Sequence, residues 1–288
     1  MSKQLNVRGE AAQALETWST KTWPVGTRMH VPDGRVFRLA QATATAIAVG
    51  RAVQANQPDM RVRNKGVAVR TDPNPSVVTL TGVNTPSDQS AVQANDYAEG
   101  LLYVISGGGA GYVYRIESNT KADSLTNTLK VIIEAGSVTG LAQTTTRITL
   151  LKNRFRDVAL SDAPPSAAVI GVSSVAVAAS AYFWLQTHGA AAVLQEGELA
   201  VNLPVAASKT TSGAVRLATV TVPNTFSGIR NDTGGLAVVP TIQPADARAE
   251  RLAPVSGVGV VPDLPLGYVL DPGYDGAHAL VHLSIEGG

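Results

Sequence analysis

From His30 onward, apolar and polar residues alternate in short runs instead of recurring every three or four positions. A period of two is the mark of half-buried strands. The run Arg35-Val-Phe-Arg-Leu39 follows the turn signal Asp33-Gly34, so a hairpin is expected there. Further strands are predicted at 66–71, 77–81, 101–106, 112–117, 129–134 and 147–151. In the second half they fall at 169–177, 181–187, 191–194, 213–222, 235–239, 255–261, 265–270 and 279–285. Gly107-Gly-Gly-Ala-Gly111 joins two of these runs as a hairpin tip. Many short strands separated by Gly, Pro, Asn and Asp predict sandwiches or barrels.

The densest aromatic block is Tyr182-Phe-Trp184. It reads as a strand that enters a turn at His188-Gly189 and continues as a second strand of small residues. Alternation puts Tyr182 and Trp184 on one face and Phe183 and Leu185 on the other, which suits core packing. One segment has helical texture: Gly9-Glu-Ala-Ala-Gln-Ala-Leu-Glu-Thr17, strong helix formers with an acid in the first turn. Trp18 and Trp23 follow it, and Pro24 stops any helix. This stretch is expected to be an arm that docks on something, or a helix folded back on its own domain.

Pro164-Pro165 marks a boundary, because a proline pair cannot sit in a central strand. The expected fold is all-β: two β-barrel or β-sandwich domains with a short N-terminal helical or extended arm. The divisions are 1–29 for the arm, 30–161 for the first domain and 162–288 for the second. The most apolar stretch, 167–185, passes a hydropathy window of about 19 residues. Gly171, Ser173, Ser174 and Ser180 interrupt it, and two strands joined by a turn are predicted instead of a membrane span.

Composition narrows the function classes. Charged residues make up 16% of the 288 and the net charge is +1, so no global field attracts nucleic acid or an anionic membrane. Cysteine is absent, which excludes disulfides, thiolate metal sites and a cysteine nucleophile. The first ten residues lack an apolar run, so a secretory leader is not expected.

Searches for chemistry end in ordinary structure. His278 and His282, four apart in a strand, lie about 13 Å apart along one face, too far to share a metal ion. Gly107–Gly111 lacks the Lys and Ser/Thr of a phosphate-binding loop, and Gly257-Val-Gly259 is strand punctuation. Asp263, Asp271 and Asp275 sit among Pro and Gly in turn chemistry that a calcium loop would share. The basic runs Arg61-Val-Arg-Asn-Lys65 and Lys152-Asn-Arg-Phe-Arg156 either protect an edge strand or meet an acidic partner. No catalytic, cofactor-binding or metal residues are assigned, and no cofactor is expected.

Four motifs together carry a resemblance. They are Trp23-Pro-Val-Gly-Thr27, Pro32-Asp-Gly-Arg-Val-Phe-Arg-Leu-Ala40, Gly50-Arg-Ala-Val-Gln54 and Tyr182-Phe-Trp-Leu-Gln-Thr-His-Gly189. In combination they resemble virion structural proteins of tailed bacteriophages, in particular capsid decoration (cement) proteins. The resemblance covers pieces of both halves; the middle, 59–161, matches none of it and is expected to be inserted or outward-facing. It implies a non-enzymatic protein on the outer capsid surface that binds the major capsid protein and itself, as a homotrimer. The interface residues expected on this reading are Trp18, Trp23, Arg35, Phe37 and Arg38. The alternative is a tail- or fibre-associated virion protein that binds host glycans through Tyr112, Tyr114 or Tyr274.

Overall fold

Each strand predicted within the described residues has a counterpart, and the strands assemble into two sheets. The computed structural model describes residues 6–68, 76–83, 92–123, 125–143, 145–218, 265–274 and 276–285. The strands predicted at 235–239 and 255–261, with Gly257, Gly259, Asp263 and Asp275, lie outside them. The chain divides into two compact units, and the first, 1–218 with 265–288, holds both sheets.

The first five strands are β1 (Asn6–Arg8), β2 (Thr17–Trp18), β3 (Arg28–His30), β4 (Val36–Gln41) and β5 (Arg51–Gln54). The next six are β6 (Lys65–Val67), β7 (Val77–Thr81), β8 (Leu101–Ser106), β9 (Val113–Asn119), β10 (Thr128–Ile133) and β11 (Arg147–Leu151). These six close into a barrel in the order β10-β7-β6-β11-β8-β9. Its inward residues, among them Val78, Leu80, Leu102, Val104, Ile116 and Leu129, form one buried cluster.

The remaining strands are β12 (Ala159–Leu160), β13 (Val169–Ser173), β14 (Tyr182–Leu194), β15 (Pro204–Ala207), β16 (Val215–Leu217), β17 (Gly267–Asp271) and β18 (His278–Ser284). With β1–β5 they make a twelve-stranded sheet whose main path is β1-β3-β4-β14-β18-β17-β15-β16. β4 pairs with β14, and β5 pairs with β12 and β13. The division into 30–161 and 162–288 therefore cuts through one hydrogen-bonded sheet, and the barrel strands lie between β5 and β12.

The proline pair misleads because a side chain, not a strand, holds its loop to the sheet. The buried Gln54 donates to Asp162 Oδ2 (2.8 Å) and Ser166 Oγ (3.0 Å). Its Oε1 accepts from the backbone N–H of Asp162 and of Ser166.

The predicted helix is also corrected. Only Gln13–Leu15 turns, as a single 3-10 turn, between β1 and β2. Nine residues are too few to hold a helix in water without tertiary support. Here the flanks take sheet pairings instead: β1 runs parallel to β3, and β2 pairs with the start of β14. The segment is thus built into the large sheet from Asn6 to Trp18.

Strand β14 organises that sheet. The turn expected at His188-Gly189 is absent, and thirteen residues run as one strand. Tyr182 to His188 pair with β4, and His188 to Leu194 pair with β18. The change of partner occurs at a register shift between Gln186 and His188. Gly189 takes φ +86° there, and a Cβ at that position would lie 3.1 Å from Arg35 Cα. Alternation along the first half splits the aromatic block as its spacing predicts. Trp184 packs with Met29, Phe37 and Leu39, while Phe183 and Leu185 pack with Val53, Phe155 and Ile170.

Candidate interaction surfaces

The five residues singled out in the sequence do not form one surface. Phe37 is fully buried in the cluster that holds Trp184, so its assignment to an interface is corrected: both faces of β4 are covered, one by that cluster and the other by the one holding Ala40. Trp18 meets Trp184 edge to face, with ring centroids 6.3 Å apart. Arg35 pairs with Asp33 (2.7 Å) beside the hairpin turn and lies 5.5 Å from the Phe37 ring. Arg38 donates to the Gly26 carbonyl (2.9 Å) and covers the Phe155 ring. Trp23 is exposed.

Where Trp23 enters the structure, a clasp joins the barrel to the large sheet. The basic run Lys152–Arg156 lies at this clasp, where Lys152 pairs with Asp157 (2.8 Å). Asn153 Nδ2 donates to the carbonyls of Val25 (2.9 Å) and Glu99 (3.3 Å), and its Oδ1 accepts from Phe155 N–H. Glu99 accepts from Val25 N–H and from Lys21 Nζ, each at 3.0 Å. Asn56 reaches the carbonyls of Asn153 and Arg156, and Arg156 donates to Asn95 O. Phe155 lies buried, with the guanidinium groups of Arg38 and Arg154 5.8 and 5.3 Å from its ring centre. A half-open groove of about 340 Å³ runs beside this clasp, lined by Pro24, Val25, Leu101, Leu151 and Phe155 among others.

Two exposed faces carry little charge. One lies on the large sheet, where β14, β18 and β17 are neighbours. Ala190 stands opposite His282, Ala192 opposite Leu280, and Tyr268 opposite His282 on the far side. His282 stacks on Tyr268 (4.9 Å between centroids) and meets His188 edge-on (5.1 Å). The opposite face of these strands is the buried cluster of Ala191, Val193, Val269, Ala279, Val281 and Leu283. The second face is the barrel wall of β11, β8 and β9, where Leu101, Tyr103, Ile105, Val113 and Leu151 are each 38–54% exposed.

Polar clusters are structural. Asp59 accepts from the Arg61 backbone N–H, from the Arg61 guanidinium through three further nitrogen–oxygen contacts and from the hydroxyl of the buried Tyr97. Burial opposes its ionisation, but the bonds from Arg61 and Tyr97 outweigh that and hold the carboxyl at about 2. Burial, then the Asp59 carboxylate, pushes the Tyr97 phenol up. Glu196 is held at about 2 by hydroxyl bonds from Ser208 and Thr210. Among the described residues no group of three or more His, Asp or Glu side chains is placed to hold a metal ion. No helix among them is long and apolar enough to cross a membrane.

The glycan platform loses one member, because Tyr114 points into the barrel core; Tyr112 and Tyr274 are exposed. Sequence reading missed the clasp residues Asn153 and Glu99, whose partners lie 54 to 128 positions away. It also missed both faces of low charge, although the alternation of β8 and β18 held their signal. No family model, curated protein or solved structure matches the chain.

Proposed function

We propose that this protein is a capsid decoration protein of a tailed bacteriophage, which binds the outer surface of the head and reinforces contacts between major capsid protein subunits. The face of β14, β18 and β17, low in charge apart from Asp271 opposite Leu280, carries the reading. It presents Ala190, Ala192, Leu280, His282 and Tyr268 on neighbouring hydrogen-bonded strands. Burying charge without pairing costs several kcal/mol, so a face of low charge suits an extensive protein contact. At about 25 cal/mol per Å², a few hundred Å² of apolar burial supplies several kcal/mol gross before ordering costs. Occupation of many equivalent sites on a shell turns such modest contacts into avidity. The reading assigns no reaction and no cofactor to the chain.

The test is binding of purified protein to expanded empty capsids of its own phage. A fixed ratio per capsomer and a higher capsid melting temperature are expected, and Leu280→Glu should abolish both. Failure of the wild-type protein to bind, or its location on tails with glycan affinity lost on Tyr112→Ala or Tyr274→Ala, would reject the capsid reading.

A further inference from the structure

We propose that the barrel wall of β11, β8 and β9 is a self-pairing surface on which two copies of this chain dock about a two-fold axis. The inference does not rest on the capsid reading. On β8 the outward residues are Leu101, Tyr103 and Ile105. The backbone register puts Val113 of β9 and Thr149 of β11 on either side of Tyr103, and Arg115 and Leu151 on either side of Leu101. Arg115 is already paired with Glu134 (2.8 Å). The five apolar side chains expose about 400 Å² in one patch, a size that on a monomer is often functional. A stable interface buries about 800 Å² per partner, with an apolar centre and a polar rim. The patch has the size of such a centre.

The charges at its rim select the occupant. Arg147 lies on β11 opposite Ser106, past the Ile105 end of the patch. Glu117 lies on β9 two residues beyond Arg115, past the Leu101 end. Both are exposed, and among the described residues neither has an ion-pair partner. Opposite charges on opposite sides of an apolar centre meet twice when a surface packs on its own copy about a two-fold axis near Tyr103. Arg147 of each copy then faces Glu117 of the other. A net charge of +1 leaves little repulsion between copies. The contact is isologous and closes in pairs, not in the trimer that the family resemblance implies.

Sedimentation equilibrium on the full chain, without capsids, tests this separately from capsid binding. The wild type should show a monomer–dimer equilibrium. Tyr103→Glu, a change at an exposed position, should weaken it at least about tenfold with an unchanged circular dichroism spectrum. Glu117→Arg and Arg147→Glu should each weaken it, and the double exchange should restore it. A wild type that stays monomeric, a trimer, or a double exchange no tighter than the single ones would overturn the proposal.

Discussion

Gln186 holds the backbone step that Gly189 makes in β14. Its Nε2 donates to the carbonyls of His188 (3.2 Å) and Ala190 (2.8 Å), and its Oε1 accepts from Ser174 Oγ. These are the carbonyls on either side of Gly189, where the strand leaves β4 for β18. The spacing Trp184-Leu-Gln-Thr-His-Gly189 thus has a physical account. Trp184 anchors the core, Gln186 satisfies the bulge, and Gly189 supplies a positive φ that other residues adopt at a cost.

Gly189→Ala should destabilise the protein by about 1–3 kcal/mol, because the φ is unfavourable and Arg35 stands against the new methyl. Gln186→Leu should cost a similar amount, about 1–3 kcal/mol, by leaving bulge carbonyls without their donor. Chemical denaturation of both single variants checks this. Values indistinguishable from wild type would remove the bulge from the account of β14.

Trp184→Ala should cost about 3–5 kcal/mol, the range for emptying a large aromatic site. Trp184→Phe should cost clearly less. Among the described residues the indole Nε1 is buried without a hydrogen-bond partner, so phenylalanine relieves an unsatisfied donor while giving up part of the volume. Equal losses for the two variants would show that filling the site with an aromatic ring does not account for the value of this residue.

Asp59 predicts part of the acid limb of stability. Its folded value of about 2 lies below the ordinary aspartate value of 3.8. The contribution is therefore present above about pH 4 and is lost as the pH falls towards 2. Asp59→Asn should flatten the fall of unfolding free energy in that window, read by denaturant titrations at several pH values. Glu196 titrates in the same window, so a smaller slope should remain.

The clasp makes a local prediction. Asn153→Ala removes the donors to Val25 O and Glu99 O and the acceptor for Phe155 N–H, at a cost of about 1–3 kcal/mol. Hydrogen exchange should quicken first at the amides of Val25 and Phe155, with β8 and β14 still protected. A uniform increase along the chain would mean that Asn153 supports the whole fold and not this junction.

Legibility followed the range of each interaction. The hairpin at Asp33-Gly34 and strands β7, β8 and β11 were readable because alternation and turn residues are properties of neighbours in the chain. The opposed packing of Trp184 and Phe183 was readable for the same reason. The turn assigned to His188-Gly189 failed because glycine at positive φ serves a bulge as well as a turn. Only the pairing of His188–Leu194 with β18, about ninety residues on, distinguishes the two. Phe37 failed as an interface residue because its neighbours do not say that both faces of β4 are covered, one by the cluster of Phe37 and Leu39 and the other by that of Ala40.

The amino-acid sequence by itself determined that the described chain is built of strands from His30 onward, with near-neutral charge and no thiol chemistry, since composition and period-two patterning act locally. Tertiary structure alone decided that β4 and β5 share a sheet with β13 and β14 while the barrel closes between them. It also decided which alternating faces are buried and which are left open. Those outcomes depend on pairings between distant strands, and their hydrogen-bond register is set by the packing of the assembled sheets, not by any single segment.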